Sequence, residues 1–163
     1  TDQKRGALFS KLLSAIAVAA RGEPNPDFNP RLRTAILKAK ASNVPQENIE
    51  RAIRRAADKS EVLEEITMEA YGPGGVAILI DAITDNRNRT VAETKKILSE
   101  LGGKWGEPGS VRFVFEEKLG EEERRSAKFT QPLSEADKKK LDSLISAVLN
   151  HPDTQKVTTN AAP

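Results

Sequence analysis

Hydrophobic positions recur with a helical period over residues 3–21: Leu8, Leu12, Ile16 and Ala19 line one side, with Ala15, Ala17 and Ala20 between them. Arg21-Gly22 ends this helix, and Pro24, Pro26 and Pro30 hold the next stretch extended. Asn29 is an N-cap and Pro30 suits the first helical position, so a second helix runs to about Ala41 with Leu32, Ile36 and Leu37 on its apolar face. Ser42-Asn43 stops it. Pro45 opens a third helix with Ile49, Ile53 and Ala56 inward and Glu47 and Glu50 near its positive end. Three helices with short connections predict a small bundle over residues 1–60.

The period changes from there. Ile66, Met68 and Ala70 alternate with Thr67 and Glu69, as in a half-buried strand. Tyr71-Gly72-Pro73-Gly74-Gly75 is turn chemistry, and Val76 to Ile83 is a β-branched run suited to a central strand. Asp85-Asn86-Arg87-Asn88-Arg89-Thr90 leads into a helix with Val91, Ile97, Leu98 and Leu101 on one face, which Gly102-Gly103 ends. Val111 to Glu116 alternates again and predicts a third strand. Residues 117–126 are highly charged and read as a linker, and Ala127 to Leu133 reads as a fourth strand. Ser134 caps a helix with Leu141, Leu144, Ile145, Val148 and Leu149 inward; His151-Pro152-Asp153 breaks it, and Thr154 to Thr159 forms the last strand. Residues 61–163 are therefore predicted to form an α+β, ferredoxin-like sandwich following the three-helix bundle.

Charge sharpens this division. Residues 1–60 hold twelve lysines and arginines against six acids, a net +6 in a chain whose total is +2, so the remainder carries −4. A basic module beside an acidic one suggests polyanion binding by the first; a solvated helix surface is the plainer alternative. Cysteine is absent, which excludes disulfides, a thiolate nucleophile and cysteine zinc sites. No run approaches a membrane span and no signal-peptide core opens the chain. A reducing compartment, the cytoplasm or an organelle matrix, is expected.

Little points to catalysis. His151 is the single histidine, and its position predicts an exposed loop or helix-end residue. A histidine metal site lacks ligands, and no serine sits in a nucleophile elbow. Three segments suit nucleic acid better. In Lys4-Arg5-Gly6-Ala7-Leu8-Phe9-Ser10-Lys11, Lys4 and Lys11 share a helix face that can follow phosphates, while Phe9 reads as core. Arg31, Arg33, Arg51, Arg54 and Arg55 stand on helices with one buried and one cationic face, and the arginine fork matches phosphate. Pairing of Glu47 with Arg51 and Glu50 with Arg54 would leave Arg31, Arg33 and Arg55 free. In the second half, Gly72, Gly74 and Gly75 lack the Lys-Ser/Thr of a nucleotide loop, but their amides could approach a phosphate; a plain hairpin turn is an equal reading. Arg87, Asn88 and Arg89 stand at a helix start, where cations disfavour the isolated helix and amides favour anions.

The stretches "KRGALFSKL", "NPRLRTAILKAKASNVPQENIERAI", "YGPGGVAILIDAITDNRNRT" and "GGKWGEPGSVRFVF" resemble signature segments of the YebC/PmpR family, and "LSEADKKKLDSLISAVLNHPDTQKVTTNA" resembles its last helix and strand. Together they span most of the chain. The resemblance implies a helical first domain followed by α/β domains, without enzymatic activity or cofactor. It further implies regulation through nucleic acid: either ribosome association, with rRNA or tRNA contacts that help elongation through sequences such as proline runs, or DNA-binding control of transcription. Two family features are not found in this sequence: the basic "GHSKW…KHKK" opening, and a further α/β domain inserted after "SVRFVF", where residues 117–126 stand.

The translation factor is the first expectation and the DNA-binding regulator the second, since no helix begins with a clear base-reading set. A protein-interaction module acting through the acidic half is a third class. The expected molecule is a monomer that binds nucleic acid and engages neither a membrane nor a small-molecule substrate.

Overall fold

A computed structural model describes residues 2–118 and 124–163. Among these no helix is long and apolar enough to cross a membrane. The chain divides into two compact units, Thr1–Glu65 with Ile83–Asp85, and Ile66–Ala82 with Asn86–Pro163.

The first unit holds helices α1 (Asp2–Ala19), α2 (Pro30–Ala41) and α3 (Gln46–Arg55). Ile16, Ala19, Ala20, Leu32, Ala39, Val44, Ile49 and Ala52 form its core, with Phe9, Leu12 and Leu13 against it. Small alanines at the crossings let the helices approach closely, because interaxial distance follows side-chain size. Asn29 joins two elements. Its Oδ1 accepts the Leu32 N–H (3.0 Å), capping α2, while Nδ2 donates to the carbonyls of Ala19 (2.7 Å) and Glu23 (2.8 Å). At the other end of α2, Asn43 adopts a left-handed φ of 64°, and the Val44 N–H closes on Ala39 O at 3.0 Å. This is the glycine-type helix stop with asparagine in the left-handed place. Leu37, expected inward, is 67% exposed. The buried stripe runs through Leu32 and Ala39, and five residues from Leu32 turn Leu37 about 140° round the helix.

The second core is built on strands β1 (Glu64–Tyr71), β2 (Ala77–Thr84), β3 (Lys104–Gly106) and β6 (Thr154–Thr159), in the sheet order β3-β1-β2-β6. β3 runs antiparallel to β1, and β6 antiparallel to β2 with a register shift between Asp81 and Ala82. Helices α4 (Arg87–Glu100) and α5 (Glu135–Leu149) cover one face. There Ile66, Met68, Ala70, Val76, Ile78, Ile80 and Ala82 meet Leu98, Leu141, Leu144 and Val148. The alternate residues Ala77 and Leu79 face the other way, onto Val111, Val114 and Phe115. Those residues belong to or lead into a hairpin of β4 (Phe115–Lys118) and β5 (Arg124–Ala127). The result is the expected α+β sandwich after a helical unit.

Three local expectations change. The third strand of the sheet is Lys104–Gly106, while Arg112–Val114 forms a 3-10 turn. The cause lies in Glu69, a buried carboxylate that accepts the N–H groups of Gly109 (2.6 Å), Val111 (3.1 Å) and Arg112 (2.8 Å) and so bends residues 109–112 away from a ladder. The charged stretch 117–126 is no linker where it is described: residues 117, 118 and 124–126 belong to the hairpin, and 119–123 lie outside the described residues. Arg125 anchors it, paired with Asp81 of β2 and, at 3.1 Å, with Glu117. Residues 128–133 are not a strand. Gln131 makes only an isolated bridge with Ala161.

Candidate nucleic-acid interface

The first unit sorts its cations into two groups. Arg31 pairs with Glu65 and Arg55 with Glu61 (3.1 Å), while Arg33 Nη1 donates to the carbonyls of Pro26 (2.8 Å) and Asp27 (3.2 Å). The expectation that these three are left free is therefore wrong. Glu61 and Glu65 lie beyond the helices that carry their partners, out of reach of an i,i+4 argument. Arg51 does pair with Glu47 (3.2 Å), as the spacing predicts, but Glu50 bonds Gln46 (3.4 Å) instead of Arg54. Lys4 is exposed, but Lys11 is half-buried, and burial lowers its pKa below the usual lysine value. The two do not present one equally solvated face.

Five cations form the second group. Arg5, Lys38, Lys40, Arg54 and Lys59 are exposed and make no ion pair among the described residues. On α2, Arg33, Leu37 and Lys40 are exposed at i, i+4 and i+7, one face of the helix. Lys38, Lys40 and Lys59 are not among the residues singled out from the sequence. For the first two a signal exists: lysines in the last turn, where they also favour the helix dipole.

In the second unit, Asn86 caps α4 through its Oδ1 and the Arg89 N–H (3.1 Å). Arg87, Asn88 and Arg89 occupy the first turn and are exposed. Arg89 is held by Asp153 (2.7 Å) and Glu93 (3.6 Å). These acids offset the unfavourable charge at the positive helix end, so the cation needs no ligand to account for it.

The glycine turn is occupied from within. Gly72 is buried and its N–H donates to Val76 O (2.8 Å), while the Gly75 N–H donates to Gly72 O (3.0 Å). Gln131 Nε2 donates to Gly74 O at 2.6 Å. Gly74 and Gly75 take φ of 76° and 81°, which glycine tolerates without strain. The geometry fits the hairpin-turn reading of Gly72, Gly74 and Gly75 rather than a phosphate cradle. His151, expected exposed, is buried: Nε2 lies 2.6 Å from Glu93 Oε2, and Nδ1 accepts the Asp153 N–H at 3.1 Å. Among the described residues no cluster of His, Cys, Asp and Glu could hold a metal ion.

A basic three-helix unit and a sheet between two helices and a hairpin define a two-unit α+β protein. The family follows from direct comparison: the chain belongs to the TACO1/YebC family. Residues 1–59 match the model of the TACO1/YebC protein N-terminal domain, and residues 63–122 match that of the TACO1/YebC second and third domain. A probable transcriptional regulatory protein of Acidobacterium capsulatum is 55% identical over 119 residues, covering 72% of this chain and 48% of that protein. One from Chloroflexus aurantiacus is 57% identical over 121 residues, with the same 72% and 48% coverage. The chain thus spans about half the length of these relatives. A crystal structure of a conserved hypothetical protein from Aquifex aeolicus superposes with a TM-score of 0.86 at 33% identity, covering 99% of this chain and 91% of that one.

Proposed function

We propose that this chain is a non-enzymatic nucleic-acid-binding regulator whose helical unit grips phosphates. The carrying observation is that Arg5, Lys38, Lys40, Arg54 and Lys59 are exposed without ion-pair partners among the described residues, while the neighbouring arginines are engaged. Exposed cations without intramolecular partners release counterions from a polyanion at no cost in broken pairs. Arg87 and Asn88 add a second contact in the α/β unit.

The names of the relatives favour the transcriptional form of this reading, in which the polyanion is DNA. The translational form, with rRNA or tRNA on the ribosome as the target, rests on the family resemblance of the sequence segments. One pair of measurements separates them: competition between duplex DNA and structured RNA at matched salt, and sedimentation with ribosomes at low and moderate salt. DNA preference without co-sedimentation supports the transcriptional form. RNA preference with salt-sensitive co-sedimentation supports the translational one. Binding of neither, or binding untouched by Lys38→Gln/Lys40→Gln/Arg54→Gln, removes the helical unit from the interface.

A further inference from the structure

A shallow, open groove of about 630 Å³ lies beside α4, lined by Lys95, Lys96, Ser99, Lys104 and Trp105 together with the small residues Ala92 and Gly103. Asn88, Ala92, Lys95, Lys96 and Ser99 are all exposed and recur at helical spacing, so they form one stripe along α4. From Asn88 to Ser99 the stripe is about 16 Å long at the helical rise, the length of about five stacked nucleotides in one strand. β3 is the edge strand of the sheet and adds Lys104 and Trp105. Trp105 is half-buried, packs against the sheet core, and carries the Lys95 ammonium 4.9 Å from its ring centroid.

Three lysines thus share one open surface. Glu100 answers Lys96 at 4.0 Å, and both side chains are largely exposed. Glu93, the other acid on this part of α4, is taken by Arg89 and His151. Lys104 has no ion pair among the described residues. Such a set attracts an extended anion. Ala92 and Gly103 in its lining are small residues that let a backbone come close, beside the Trp105 ring. A lysine is a point charge that holds a phosphate without reading a base.

We infer that this α4–β3 groove is a second nucleic-acid site, which binds a single phosphodiester strand through Lys95, Lys96 and Lys104, with Asn88 at its entry. The inference rests on the nucleic-acid reading above and extends it to a sequence-independent track in the α/β unit. Trp105 is the single tryptophan of the chain, so its emission reports on this groove alone.

The experiment titrates the full chain with short labelled RNA and DNA single strands, following the label's anisotropy and Trp105 emission together. Emission should change along the same curve as anisotropy. Lys95→Gln/Lys96→Gln/Lys104→Gln should weaken binding on the order of tenfold and lower the salt slope by about 2. Ala92→Glu, which leaves the core untouched and sets a carboxylate one turn before Lys95 and Lys96, should also weaken it. Anisotropy that rises while emission stays flat and both variants bind normally overturns the groove but leaves the nucleic-acid reading standing. No rise with either strand overturns both. A change in Trp105 emission with polyglutamate but not with oligonucleotide overturns the assignment in favour of an acidic protein partner.

Discussion

Arg89 Nη2 lies 2.7 Å from Asp153 Oδ2, across 64 residues of sequence, and Thr90 Oγ1 donates to the same oxygen at 2.7 Å. The pair ties the first turn of α4 to the loop after α5, and so holds a cation where a lone helix would disfavour one. In a double-mutant cycle, Arg89→Ala and Asp153→Ala should couple by about 0.5–1 kcal/mol in urea unfolding, a value kept small because Arg89 is 41% exposed. Coupling near zero would show that this pair does not tie the two segments together.

Glu69 gives a pH-dependent prediction. Burial opposes its ionisation, but the N–H groups of Gly109, Val111 and Arg112 and the charge of Arg112 outweigh it and hold the pKa below the usual glutamate value. A carboxylate with a depressed folded pKa stabilises fully above its unfolded value of about 4.3 and loses that contribution as pH falls through the folded value. Glu69→Gln should therefore cost about 1–3 kcal/mol at neutral pH and show a shallower loss of stability on acidification below about pH 4. Chemical denaturation at both pH values decides it, and equal acid sensitivity of the two proteins would refute the clamp.

Asn29 serves two helices at once. Asn29→Asp keeps the oxygen that caps Leu32 but loses the donors to Ala19 O and Glu23 O, whereas Asn29→Ala loses all three. We expect Asn29→Ala to cost about 2 kcal/mol, with Asn29→Asp in between. If Asn29→Asp matched the wild type in thermal unfolding, the two donated bonds would carry no weight.

The glycine turn should respond in stability and not in affinity. A Cβ on Gly72 would lie 2.9 Å from Ile78 Cδ1 and 3.0 Å from Leu141 Cδ1. Gly72→Ala should cost about 1–3 kcal/mol through overpacking. Oligonucleotide affinity, measured well below the melting temperature, should stay at the wild-type value. A selective loss of affinity at unchanged stability would return the turn to the binding surface.

Local patterns reached as far as local forces act. The apolar period placed α2, and Asn29 and Ser134 were legible as caps because a cap is decided within three residues of itself. The exchange of a 3.6 period for a 2.0 period marked where the helical unit gives way to the sheet, and the family was legible in contiguous segments. What eluded the sequence are pairings across distance. Arg31, Arg55 and Arg89 look alike as exposed cations until Glu65, Glu61 and Asp153 are brought beside them. The alternation at Val111–Glu116 signals a strand, which β4 bears out at Phe115 and Glu116, but three donors on the buried Glu69 carboxylate outweigh that propensity before it and make Arg112–Val114 a turn. His151 sits after a helix and before a proline, a surface context that burial against Glu93 reverses. Trp105 and the α4 lysines become a groove only when β3 is the sheet edge. Helix and strand follow from neighbours in the chain; which charges are satisfied, and which face an open surface, is set by neighbours in space.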